Sequence, residues 1–210
     1  MMTSTMTHHP HTATLMSFAS GALPEALAAV VACHLERCAR CRREVRAMEH
    51  IGDAVLAAGD PVELDRPVPL HALLRQEADT ARPAGEAAAG TVLERLVPSM
   101  ASVRWQSLGG GVSHAPIPTA SGSLRLIRVE PGRILPDHGH TGAELTMVLE
   151  GAFSDASGIY RPGDVADLDE EAEHVPRAED EGVCICLLAT ESPLRFKRLL
   201  HRLILPRRGL

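Results

Sequence analysis

Apolar positions change their period once along this chain of 210 residues. Up to about residue 79 they recur every three or four positions, the spacing of a helix face; after residue 92 they alternate, or run in short blocks between Gly, Pro and Ser. Leu15, Phe18 and Ala19 predict a short helix over Thr14–Ser20, stopped by Gly21. Pro24 suits a first helical position, and the Ala- and Leu-rich run Glu25–Ala32 predicts a strong second helix. Val45, Met48, Ile51, Val55 and Leu56 form the stripe of a long helix over Arg42–Ala58, broken by Gly59–Asp60–Pro61. Leu70, Leu73 and Leu74 mark a fourth, short helix over Leu70–Asp79.

Ala81–Gly90, ARPAGEAAAG, holds no large apolar residue and reads as a flexible linker. Strands follow: Val103–Leu108 and Val112–Ile117 across a Gly109–Gly111 bend, then the cleanly alternating Ser123–Val129. Ala152–Tyr160 is extended, Arg161–Asp164 is a tight turn, and Val165, Ala166 and Leu168 resume a strand. Val183–Leu188 is a buried strand with Cys184 and Cys186 on one side, taken as small core residues. The basic, leucine-rich tail Leu194–Leu210 is a last edge strand or a covering segment. The expectation is an α + β chain of two units: a four-helix unit over 1–80, a linker over 81–91 and a β unit over 92–210.

Composition narrows the partners. Aromatics are 2 % against 45 % hydrophobic residues overall, so the core is aliphatic. A net charge of −6 argues against a nucleic-acid surface. No apolar run is long enough to span a membrane, and the start MMTSTMTHHPHTATLM lacks the basic head and apolar centre of a signal peptide. The chain is expected in the cytoplasm, where an odd five cysteines serve as ligands or packing. Arg37, Arg40, Arg42, Arg43 and Arg46 form a solvated face or a basic patch for an acidic partner.

Two constellations carry chemistry. His34, Cys38 and Cys41 lie at i, i+4 and i+7, and converge whether the segment is one helix or a helix–turn–helix corner. Three such donors suit tetrahedral zinc, with a fourth expected from His9 or its neighbours. Cys33 points about a hundred degrees away and reads as packing. The second group is His138, His140 and Glu144 within GRILPDHGHTGAELTMVLEG, joined after the next hairpin by His174. His138 and His140 leave one strand face together, and a His₃Glu set suits Zn(II), Fe(II), Mn(II), Ni(II) or Cu(II).

The spacing from Gly132 to Gly151 resembles the first cupin motif, and His174 counted from Gly163 falls on the second motif's histidine. That second motif is degraded: Asp169, Glu171 and Ala178 replace its proline, glycine and asparagine. The resemblance implies a cupin barrel, a double-stranded β-helix or jelly roll, with a metal in its mouth. Together with VVACHLERCARC, His8–His9 before proline, VRWQSLGGGV and CICLLAT, the chain resembles ChrR-type anti-sigma factors. The likeness implies a zinc site on His9, His34, Cys38 and Cys41, and a barrel site for zinc (or Fe, Mn or Ni) on His138, His140, Glu144 and His174. It also implies that the zinc-stapled helices grip an extracytoplasmic-function sigma factor until singlet oxygen or an organic hydroperoxide ends the inhibition, with the barrel as the responsive part. Relatives that switch by thiol chemistry carry a cysteine where this chain has His9, so a simple disulfide switch is not expected. The competing expectation is a metal-dependent cupin dioxygenase or isomerase with an accessory zinc domain.

Overall fold

The computed structural model describes residues 6–60, 90–135, 142–169 and 175–191. Three helices come first: α1 (Thr12–Ala19), α2 (Glu25–Arg37) and α3 (Ala39–Ala58). The chain corners between α2 and α3 at Cys38, whose backbone is extended and whose sulfur accepts the N–H of Cys41. Of the two geometries the His34–Cys41 spacing allowed, the corner is the one adopted. Arg42 donates to the carbonyls of Leu35 and Glu36 at the end of α2, and Arg40 pairs with Glu44 at 3.0 Å. Arg42 therefore has local work in holding the corner, while Arg40 pairs along α3. The expected helix over Leu70–Asp79 lies outside the described residues.

A short helix α4 (Val92–Leu96) stands where the sequence was expected to turn to strand. Thr91 and Glu94 form a reciprocal capping box, and Glu36 of α2 accepts the N–H of Val92 at 2.8 Å. After a 3₁₀ turn at Met100–Ser102, the regular elements among the described residues are antiparallel strands. Strands β1 (Gln106–Gly109), β2 (Val112–Ile117), β3 (Ser123–Val129), β4 (Glu144–Glu150), β7 (Val165–Leu168) and β9 (Cys184–Thr190) form one sheet in the order β1-β2-β3-β9-β4-β7. β5 (Phe153–Asp155), β6 (Gly158–Tyr160) and β8 (Arg177–Ala178) form a second sheet in the order β6-β5-β8. The run Ala152–Tyr160 is thus a hairpin of two strands. Gly151 makes the β4–β5 turn at φ 71°, with the Val183 carbonyl where a Cβ would stand, so only glycine fits.

Alternation assigns two faces to the large sheet. Ile127 and Val129 on β3, Val148 on β4 and Cys184, Cys186 and Leu188 on β9 meet Phe153 and Ala178 of the small sheet, which fills the barrel. Leu124 and Leu126, Leu145 and Met147, and Leu187 and Ala189 face the other way, onto the helices. Their partners on α2 are Ala26, Leu27, Val30 and Val31, all 0 % exposed. The N-terminus of α2 is fastened to the β2–β3 loop: Ser121 accepts the N–H of Glu25 through Oγ at 2.9 Å and that of Ala26 through its carbonyl at 3.1 Å. Helices and barrel therefore share one core across the outer face of the sheet.

Truncating Leu27 to alanine tests that continuity. A loss of about 2–5 kcal/mol in unfolding free energy is expected. The shift should be the same by helical circular dichroism and by fluorescence of Trp105, which packs on the shared core.

Candidate metal centre

His9, His34, Cys38 and Cys41 come together at the α2–α3 corner, with one donor atom from each lying within 4.8 Å of the others. His34 sits in the last turn of α2, Cys38 caps α3, Cys41 follows in its first turn, and His9 arrives from the segment before α1. His9 Nδ1 lies 3.4 Å from His34 Nε2, 3.4 Å from Cys38 Sγ and 3.5 Å from Cys41 Sγ. His34 Nε2 is 3.3 Å from Cys41 Sγ. With Zn–N near 2.0–2.1 Å and Zn–S near 2.3 Å, the edges of a ligand tetrahedron are about 3.3–3.8 Å. Four of the six donor–donor edges thus fall within or close to that range, all six are within 4.8 Å, and the donor chemistry, two imidazoles and two thiols, fits zinc.

The electrostatics agree. Burial lowers the His9 and His34 pKa values, so both rings favour the neutral, ligating form. Burial, with Cys38 beside it, pushes the Cys41 thiol up to about 12. A cation would supply the charge that such a thiolate needs, and binding would release its proton. Cys33, 2 % exposed, stays outside the cluster, and burial lifts its thiol to about 11; it packs, as its angle on the helix implied.

What the sequence left unseen is the barrel's part in this centre. His34 Nδ1 donates to the carbonyl of Gly163 at 2.8 Å, in the turn between β6 and β7. That bond fixes the tautomer and leaves Nε2 for a metal. His9 is held by the same turn. Asp164 Oδ1 accepts the N–H of Thr7 at 2.7 Å and of His8 at 3.1 Å, and the His8 carbonyl accepts the N–H of Val165 at 3.2 Å. The His8 ring lies on Tyr160 with centroids 4.1 Å apart. Asp164 is 2 % exposed. Burial pushes its carboxyl up, but N–H donation from His8, Arg161 and Thr7 outweighs this and holds it below the ordinary carboxylate value. The Arg161–Pro162–Gly163–Asp164 string announced a turn, and nothing local in it points to residues more than a hundred positions away.

Of the second set, Glu144 opens β4 inside the barrel, 1 % exposed, with Oε1 accepting from Thr146 Oγ1 at 3.3 Å. His138, His140 and His174 lie outside the described residues. Cys184 and Cys186 do share a face, with sulfurs 3.6 Å apart among the apolar residues that fill the barrel.

A family model described as the ChrR cupin-like domain matches residues 93–192. Anti-sigma-E factor ChrR of Cereibacter sphaeroides is 38 % identical over 208 residues, 96 % of this chain and 98 % of that protein. This chain belongs to the ChrR family of anti-sigma factors. The crystal structure of Rhodobacter sphaeroides SigE in complex with the anti-sigma ChrR superposes with a TM-score of 0.72 at 39 % identity, over 89 % of this chain and all of that one. The resemblance first carried by the histidine and cysteine spacings thus extends to the whole architecture, helical cluster and cupin-like barrel together. In this ChrR-family chain the four donors of the helical centre are assembled partly by the barrel.

Replacing Asp164 by Asn keeps the side-chain volume and removes the charge that holds Thr7 and His8. Zinc affinity, measured by competition with a chelator of known strength, is expected to fall about 10- to 100-fold with the far-ultraviolet spectrum unchanged.

Proposed function

We propose that this chain is a cytoplasmic anti-sigma factor: it sequesters an extracytoplasmic-function sigma factor and releases it under oxidative stress, from singlet oxygen or an organic hydroperoxide. The observation that carries this reading is likeness to an anti-sigma factor along 96 % of the chain, with four zinc-type donors clustered within 4.8 Å. The solved relative was crystallised with SigE, and a sigma factor of that kind is the partner assigned to this chain. A net charge of −6 fits control of transcription through a protein rather than by contact with DNA. Among the described residues no helix is long and apolar enough to cross a membrane.

In this reading zinc, held by His9, His34, Cys38 and Cys41, staples the helices of residues 1–80 into the shape that grips sigma. The grip has an evident face. The stripe of α3 starts in the core with Val45, 4 % exposed, and ends on the surface with Ile51, Val55 and Leu56, which are 64 %, 69 % and 82 % exposed. With Met16 of α1, 57 % exposed, they offer apolar area to a helical partner. The barrel over 92–210, joined through 81–91, is the sensing part, with His138, His140, Glu144 and His174 holding Zn(II), or Fe, Mn or Ni. Its route to the grip is the β6–β7 turn, which bonds His34 directly and holds Thr7 and His8, the residues that lead into His9. Release needs only that the sensing event favour one geometry of that contact by a few kcal/mol. No catalytic step is assigned.

Co-expression with the partner sigma factor, followed by co-purification and metal analysis, tests the reading. A stoichiometric complex containing zinc is expected, and stripping the zinc should dissolve it. Ile51→Asp and Val55→Asp should each weaken the complex by about tenfold or more while zinc content holds. Zinc-loaded chain that forms no complex would overturn the assignment.

A further inference from the structure

The stretch after β9 reads differently from the rest of the chain. From 192 to 210 it holds six cations, Arg195, Lys197, Arg198, Arg202, Arg207 and Arg208, and no carboxylate, within a chain whose net charge is −6. Its apolar positions keep one period. Phe196, Leu199, Leu200 and Leu203 fall at i, i+3, i+4 and i+7, one face of a helix. At helical spacing Arg198 and Arg202, four apart, flank that face on one side and Lys197 on the other.

A basic amphipathic segment fits an apolar surface with acid along its edge, and the helical unit offers one. Between α1 and α3 lies an open groove of about 390 Å³, walled by Met16 and Ala19 of α1 and by Met48 and Ile51 of α3. Glu49 and Asp53, also four apart and both exposed, line it from α3. Gly52 keeps the space between them clear, since a Cβ there would meet nothing within 4 Å. Segment and groove therefore match in apolar character, in the spacing of their charges and in opposite sign.

The end of β9 lies close to this groove. A Cβ on Gly122 would stand 3.0 Å from the Thr190 carbonyl oxygen, 2.9 Å from Ala26 Cβ and 3.5 Å from Pro24 Cβ, so the last residue of β9 abuts the start of α2. Pro24 is four positions past Ser20, which caps α1 and lines the groove. The loop between them turns back, with Ala22 N–H donating to the Ser17 carbonyl at 2.8 Å. Four residues span at most about 14 Å, and Glu191 to Pro193 reach about 10 Å, so a helix beginning at Leu194 meets the groove within its first turns. Tethered so closely, the segment has an effective concentration on the order of millimolar, and a modest intrinsic affinity fills the site. Residues 61–89 leave α3 itself, but they carry Glu63, Asp65, Glu77, Asp79 and Glu86 against three arginines, the same sign as the groove's edge. Charge selects the segment after β9.

We propose that residues 194–205 dock as a helix in the α1–α3 groove of their own chain, with the leucines on Met16, Met48 and Ile51 and with Arg198 and Arg202 on Glu49 and Asp53. Met16 and Ile51 also belong to the face assigned to the sigma factor, so the docked segment is a built-in competitor that covers this face until the partner displaces it. The covering role rests on the anti-sigma reading; the docking does not.

Lys197 is the only lysine of the chain, which makes the contact addressable. In zinc-loaded, full-length protein carrying Lys197→Arg and Arg198→Lys, a zero-length carbodiimide couples the one side-chain amine to a carboxylate in contact with it. Peptide mapping is expected to find the new amide at Glu49 or Asp53, within one chain, in a yield that falls as salt is raised. Leu199→Gln with Leu203→Gln leaves every carboxylate in place and should lower that yield about tenfold. Removing residues 194–210 should raise affinity for the partner sigma factor about three- to tenfold, because the face is no longer already occupied. If the chain binds no sigma factor with or without the segment, the anti-sigma reading fails and the cross-link still decides the docking. No coupling, coupling to carboxylates of the barrel, coupling only between two chains, a yield undiminished by the leucine changes, or binding to phosphatidylglycerol vesicles without coupling to Glu49 or Asp53 would overturn the docking. Unchanged or weaker sigma affinity after removal would overturn the covering role.

Discussion

The structure depends on one hydrogen bond: His34 Nδ1 to the carbonyl of Gly163, 2.8 Å long and shut away from water. Inside a protein such a bond is strong, because no solvent competes for either partner. It does two things at once. It sets the imidazole tautomer at the α2–α3 corner, and it ties that corner to the turn that leads into β7. Everything near it repeats the arrangement: Asp164 holds the backbone before His9, and β7 begins with a bond to His8. The cluster of His9, His34, Cys38 and Cys41 and the barrel are thus one mechanical object.

That arrangement changes how a two-part regulator of this kind can work. A flexible tether alone transmits position poorly, since it transmits no force. A shared core does better. Leu27, Val30 and Val31 of α2 lie on the outer face of the same strands whose inner face carries Glu144, Arg125 and Cys186. One strand residue apart, side chains point to the lumen or to the helices, so a shift in a strand is felt on both faces. Close-packed interiors move between discrete arrangements and do not deform smoothly. A chemical event in the barrel has, in this packing, a short path to the donors at the corner.

The barrel interior itself is unlike a hydrophobic core. It ends in polar side chains at the mouth and in aliphatic and sulfur groups at the base. Of the degraded second motif's changes, Ala178 lies buried in β8, and β7 and β9 still present the inner-face alternation on which the lumen is built.

Much was legible without coordinates. Period marked the first three helices and most of the described strands, since burial of one face writes a spacing of 3.6 or 2 into any amphipathic element. Spacing named His34, Cys38 and Cys41, because ligands a turn apart on one element are set by local geometry. The capping box at Thr91–Glu94 was equally local, yet the expectation of strand after the linker passed over it, and α4 stands there instead. Only the tertiary structure decided that the α2–α3 segment is a corner, that α2 covers the sheet, and that Gly163 and Asp164 serve the metal donors. Those facts rest on contacts between residues far apart in the chain, and a local pattern carries no record of which distant surface will come to meet it.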